Sequence, residues 1–137
     1  MKVTRLADIA VDTEANAFAA LMDGGYIDIH GGTQPETADT PLSGQPLAVA
    51  LSFGSPAFRR SVGGTITANP IDAGVAVETV NPVTWARIYR ADHRTSVMDV
   101  SVGTRNAVLL LPSVNVPANI TVTCSSFSHT VIKSKSD

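Results

Sequence analysis

The sequence predicts an all-β fold: a single jelly-roll-like β-sandwich of about eight strands, with one short N-terminal helix. Three observations carry this. Short runs alternate apolar and polar residues with period two, the period of a strand that buries one face. Turn residues separate the runs, and Pro70, Pro82, Pro112 and Pro117 all fall outside strand interiors, where proline would break a ladder. Residues 84–103 form the clearest hairpin. One face of its two arms carries Ala86, Ile88, Met98, Val100 and Val102, and the other carries Trp85, Arg87, Tyr89, Val97, Asp99 and Ser101. If Arg90 pairs with Ser96, Ile88 faces Met98, Ala86 faces Val100 and Arg87 faces Asp99. On an exposed sheet face such a cross-strand ion pair contributes roughly 0.2–1 kcal/mol.

The remaining elements follow in order. Residues 1–11 alternate weakly, as an arm or a strand. Residues 12–22 read as a short helix with Asp12 as N-cap and Ala15, Phe18, Ala19 and Met22 on one stripe. Gly24 and Gly25 stop it. Residues 26–30 form a strand with Ile27 and Ile29 inward, and a long polar loop runs from Gly31 to about Pro46. Residues 47–53 form a strand with Leu47, Val49, Leu51 and Phe53 on one face. Its other face holds Ala48, Ala50 and Ser52, small enough for another layer to pack closely. A loop at 54–64 contains Arg59 and Arg60. Short strands follow at 65–68 and 75–80, and the apolar run 107–111 reads as a buried strand. Residues 120–124 put Ile120, Val122 and Cys124 inward. The phase then shifts at Ser125-Ser126, so that Phe127 and Val131 are odd and Ile132 even. A β-bulge there lets one long strand continue. Residues 133–137 form a polar tail.

Composition narrows the class. The 137 residues fit one domain, with no internal repeat. Charged residues make up 16% of the chain, against about 25% in ordinary globular proteins. The gap is filled by Thr and Ser, which suits a surface packed against other subunits as well as a modestly soluble monomer. Lys2, Lys133 and Lys135 are the only lysines. Solvated edge strands are commonly blunted with lysine, so the edges are expected to be covered by loops or by a partner. A net charge of −2 gives no footprint for nucleic acid. No signal-peptide pattern and no membrane-length apolar run occurs, so the chain is expected to be soluble with Met1 as its start.

No catalytic, cofactor or metal constellation emerges, and a non-enzymatic protein is expected. His30, His93 and His129 are far apart. Asp28 and His30 share a strand face, but two residues fall short of a metal-ligand set. Cys124 stands alone, so it forms no internal disulfide, and it reads as a small buried hydrophobe rather than a nucleophile. Gly31-Gly32 lacks the strand-to-helix context of a phosphate loop, and the acids are scattered rather than paired across a cleft. Arg59 and Arg60 can meet an acidic partner or simply be solvated. Trp85 and Tyr89 can stack a sugar or pack under a loop.

Several stretches resemble a group of small structural proteins of tailed bacteriophages. They are the short helix ending in glycines, Tyr26-Ile27-Asp28-Ile29-His30 with Gly32-Thr33-Gln34-Pro35, Gly64-Thr65-Ile66-Thr67-Ala68-Asn69, Thr84-Trp85-Ala86-Arg87-Ile88-Tyr89, and Asp99-Val100-Ser101-Val102-Gly103. The chain departs from that pattern at His30, where another aromatic is expected, and at Ala86, where a larger residue is common. The resemblance implies a virion component without enzymatic activity. It implies, first, a capsid cement or decoration protein on the outside of the particle that bridges neighbouring major capsid proteins. A tail-tip or receptor-binding protein is the alternative within the virion, and a carbohydrate-binding module using Trp85 and Tyr89 is the alternative outside it. Candidate contacts are the N-terminal arm, the loop with Gly32, Thr33 and Gln34, and the loop with Arg59 and Arg60. Trp85, Arg87, Tyr89 and Asp99 are expected to be structural. Self-association as a symmetric homodimer, through the Ala-rich face or an uncapped edge, is also expected.

Overall fold

A computed structural model describes residues 3–131 and 134–136. The fold is all-β with one short helix. In chain order the elements are β1 (Val3–Arg5), α1 (Asp8–Ala20), β2 (Tyr26–His30), β3 (Leu47–Ser52), β4 (Thr65–Thr67), β5 (Gly74–Val75), β6 (Trp85–Tyr89), β7 (Ser96–Gly103), β8 (Leu109–Leu110), β9 (Thr121–Val122), β10 (Ser126–Thr130) and β11 (Ser134–Ser136). Seven strands make one sheet in the order β3-β2-β6-β7-β8-β10-β4, and β1-β11 and β5-β9 form two small ribbons. The step from β7 to β8 is parallel, a departure from an all-antiparallel jelly roll. The large sheet curls until its ends meet. Phe53, just after β3, lies 6.0 Å from Phe127 of β10, ring centroid to centroid, and Phe58 touches both rings. Its two ends therefore meet in one core. That core includes Ile27, Ile29, Leu51, Ile66, Ile88, Leu109 and Phe127.

The hairpin forms as its periodicity requires. Ala86 pairs with Val100, Arg87 with Asp99 and Ile88 with Met98. The register then slips between Ile88 and Tyr89, so Tyr89 rather than Arg90 faces Ser96. The backbone N–H of Arg90 instead donates to the Thr95 carbonyl, at 2.9 Å.

Both edges of the large sheet are covered by the chain itself. Along β3, the backbone of Asp72 exchanges hydrogen bonds with Ser52 and the Val77 N–H donates to the Ala48 carbonyl. Along β4, the Arg59 N–H donates to the Thr67 carbonyl, and Val62 and Thr65 close a turn. This satisfies ladder groups that would otherwise invite another chain. On the Ala-rich face of β3, Ala48 is buried while Ala50 and Ser52 are half-buried.

Four expectations need correction. The helix starts at Asp8, with Ala7 as an N-cap that makes no side-chain cap bond. Asp12 lies inside it, and its Oδ1 accepts hydrogen bonds from Ser61 Oγ (2.7 Å) and the Gly64 N–H (2.9 Å). Residues 120–130 are not one bulged strand: β9 pairs with β5, β10 pairs with β8 and β4, and the shift at Ser125-Ser126 marks passage between sheets. Ile120 is largely exposed rather than inward. Beyond residue 75 the segment expected as a strand to 80 continues only as isolated bonds, such as that between Val80 and Val116. Of the two chain ends, 3–5 and 134–136 pair as an antiparallel ribbon, so the expected polar tail is a strand over 134–136. Met1, Lys2, Ile132, Lys133 and Asp137 lie outside the described residues.

Gly64 has a stringent requirement. Its φ is +87°, and an added Cβ would run into Val11 Cγ1, on a buried side chain. Gly64→Ala combines left-handed strain with overpacking and is expected to cost about 1–3 kcal/mol, measurable as a lower urea midpoint at unchanged m-value.

Candidate functional site

The face of β2, β6 and β7 that turns away from the core forms three cross-strand rows. Tyr26 faces Tyr89, Asp28 faces Arg87, and His30 faces Trp85. Asp99 extends the middle row from β7. A side chain every second residue puts these groups together.

In the middle row, Arg87 Nε donates to Asp99 Oδ1 at 2.8 Å and its Nη2 to Oδ2 at 2.9 Å, a two-pronged pair. The two side chains are only 6% and 4% exposed. The pair expected on an open face is therefore buried, which changes its energetics from marginal to severe if broken. The hydrogen bonds that Arg87 donates to Asp99 hold the guanidinium above its ordinary pKa against the opposing effect of burial. Asp28 makes a different bond, to His93 Nε2 at 2.8 Å. His93 stacks on Tyr26, 4.1 Å between ring centroids, and meets Tyr89 edge-on. Burial raises the Tyr89 phenol pKa, with a further push from the Asp28 charge.

In the lowest row the rings of His30 and Trp85 stack at 4.7 Å. Trp85 is fully buried. Its ring face is therefore closed to a sugar in this structure. Both ring nitrogens of His30 are buried without a hydrogen-bond partner among the described residues. The Pro46 and Gln45 backbone lies close enough to influence the ring, but without hydrogen-bond geometry. Desolvation lowers the His30 pKa, only partly offset by the Asp28 charge.

The face is buried because the 31–46 loop lies across it. Four loop carbonyls accept hydrogen bonds from the hairpin: Gly31 from Trp85 Nε1 (3.1 Å), Gly32 from Thr84 Oγ1 (2.7 Å), Thr37 from Arg87 Nη2 (3.3 Å) and Ala38 from Ser96 Oγ (2.8 Å). Gln45 ties the loop to itself by donating to the Thr33 carbonyl at 3.0 Å. Its base is thereby fixed, while Gly32, Thr33 and Gln34 stay exposed.

The loop with Arg59 and Arg60 is held from α1. Asp23 Oδ1 accepts from the Ala57 N–H and Asn16 Oδ1 from the Ser61 N–H, both at 2.8 Å. Asn69 Nδ2 donates to the Pro56 carbonyl at 3.0 Å. Arg59 and Arg60 are exposed.

The hairpin tip has its own clamp. Asp92 Oδ1 accepts the Arg94 and Thr95 N–H groups, and Oδ2 accepts Thr95 Oγ1 at 2.6 Å. These bonds, led by the Thr95 hydroxyl, lower the Asp92 pKa to about 2. A carboxylate depressed in the folded state stabilises it above its unfolded value, and that contribution disappears as pH falls through the folded value. A carbon-detected NMR titration is expected to find the Asp92 midpoint near 2, and Thr95→Val is expected to move it upward.

His30, His93 and His129 do not converge, and no cluster of three or more potential metal ligands occurs among the described residues. His129 packs against Phe18. Cys124 is half-buried against the core, and burial pushes its thiol pKa up, which disfavours the reactive thiolate. No helix is long and apolar enough to cross a membrane among the described residues. Sequence reading missed the His93–Asp28 and His30–Trp85 contacts. Their signal lies in the strand rows, once the β2–β6 pairing is known. No protein-family model, curated protein or solved structure matches the chain.

Proposed function

We propose that this chain is a non-enzymatic structural protein of a bacteriophage virion, binding the outer capsid surface and cementing neighbouring major capsid proteins. The observation that carries the reading is how its two candidate contact loops are held. Each is fixed from beneath by side chains of the domain, yet each leaves polar tips outward. A pre-organised surface loses less entropy on docking than a mobile one. The resemblance adds support, because its β2, β6 and β7 motifs lie side by side around the base of the first loop.

The mechanism is mechanical. A domain seated across two subunits loses binding energy when they separate, so occupancy stabilises the closed lattice by mass action. Many copies make a modest affinity per site effective. Val75, Val77 and Ile120 are exposed on the β5–β9 ribbon and its continuation. They offer apolar area for the homodimer, now that the sheet edges are occupied. A tail-tip receptor-binding protein is the second reading, favoured only by the same exposed loops.

Add-back tests the proposal. Purified chain added to particles lacking it is expected to bind saturably and to raise the temperature at which they release DNA. Saturable binding confined to tails, with no change in that temperature, favours the second reading.

A further inference from the structure

A cleft of about 370 Å³ opens between α1 and the loop that follows β3, lined by residues including Ala19, Ala20, Phe58 and Asn69, with Arg59 and Arg60. Its walls are fixed. Asp23 and Asn16 on the helix side, and Asn69 opposite, spend their side-chain oxygens or nitrogen on the loop backbone. The Asp23 carboxylate in the cleft is thus engaged by the Ala57 N–H. The arginines are different. Neither makes an ion pair or side-chain hydrogen bond with any described residue, and both are exposed. The Arg59 backbone is nevertheless anchored to β4 through the Thr67 carbonyl. Two adjacent guanidinium groups therefore stand beside a small apolar floor made by Ala20 and Pro56.

We infer that this cleft docks an acidic segment of a protein partner, with carboxylates on Arg59 and Arg60 and an apolar side chain against Ala20 and Pro56. This rests on the cementing reading and specifies the chemistry its partner would present at this loop. Charge complementarity selects the occupant. Guanidinium groups bind carboxylates in a two-pronged geometry, and no carboxylate among the described residues, Asp23 in the cleft included, pairs with either arginine. The small Ala20 side chain leaves space for a partner side chain, and the exposed Pro56 ring gives it apolar contact. A bare inorganic anion would use the arginines and leave the floor empty.

The test is an NMR titration of the ¹⁵N-labelled full chain with an acetylated, amidated Asp-Leu-Glu-Asp peptide. A Lys-Leu-Lys-Lys peptide and inorganic phosphate serve as controls. The acidic peptide is expected to give saturable shifts confined to residues 56–61 and to residues 16–23, at the end of α1 and just beyond it. Arg59→Gln with Arg60→Gln is expected to weaken binding roughly tenfold, since two exposed pairs are lost. Those side chains are exposed, so the fold is retained and the unperturbed spectrum checks this. Ala20→Trp, which fills the floor, is expected to weaken the peptide but not any effect of phosphate. Scattered shifts, equal binding by the double variant, or phosphate reproducing the peptide's shifts would overturn the inference. The titration uses no particle, so failed add-back with a positive titration counts against cementing and not against the cleft.

Discussion

Asp99→Ala is expected to destabilise the domain by about 3–5 kcal/mol, because it removes the carboxylate that accepts both prongs of the buried Arg87 guanidinium. Its surroundings dictate that size. Arg87 is 5% exposed and its remaining bond is a long one to the Thr37 carbonyl. The same substitution would be nearly silent if the pair lay on an open face. Removing both charges gives the contrasting result. Arg87→Met with Asp99→Leu is expected to recover most of the loss, since apolar replacements of a buried pair are often neutral or stabilising. Loss of the Thr37 bond should still loosen the loop, with faster amide exchange around residues 36–39 in the double variant. Urea denaturation of both variants separates these effects. A loss below about 1 kcal/mol for Asp99→Ala would show that water reaches the pair.

Acid is expected to open the same face from its other end. His30 is buried, its two ring nitrogens are unpartnered, and its pKa is lowered. A group depressed in the folded state contributes stability above its unfolded value, about 6.5 for histidine. That contribution is lost as pH falls toward the folded value. Protonation would place a charge against Trp85, with Arg87 nearby as a second cation, and Asp28 and the Pro46 and Gln45 backbone offset it only in part. An unpaired buried charge costs several kcal/mol, so the chain is expected to expel the ring and release the 31–46 loop. Trp85 is the only tryptophan, which gives this transition a private reporter. Its emission is expected to shift to longer wavelength as pH falls below the ordinary histidine value of about 6.5 toward the lowered folded one. His30→Phe keeps the stack, removes both orphaned nitrogens and is expected to gain about 1–2 kcal/mol at pH 7. It should also abolish the emission shift. A shift that persists in His30→Phe would assign the acid transition to another group.

The hairpin was legible because its register is set by short-range facts: period-two alternation and an Arg87–Asp99 pairing that favours one alignment. The slip beside Tyr89 was not legible, since a one-residue irregularity leaves the apolar pattern of both arms intact. Asp12 resembled an N-cap because it precedes an apolar stripe, yet its acceptor capacity serves Ser61 and Gly64, far along the chain. The run at 120–130 misled for a related reason. Alternation shows that residues are extended and does not reveal that neighbours pair in different sheets. The burial of Trp85 and Arg87 was hardest to foresee. The loop over them is polar, and it binds through backbone carbonyls, which every residue possesses. Only Gly31 hints at it, where an added Cβ would meet Val80 Cγ1 at 2.6 Å. The contact loops themselves were visible as breaks in alternation, but their support from α1 and the hairpin required the fold.

Copy number tests the cementing proposal most directly. Purified particles can be resolved on a gel and this chain's band measured against the major capsid protein, each corrected for mass. A cement bridging capsid subunits predicts copies approaching the number of major capsid proteins, or a fixed simple fraction of it set by lattice symmetry. A handful of copies per particle, co-purifying with tails, would contradict it.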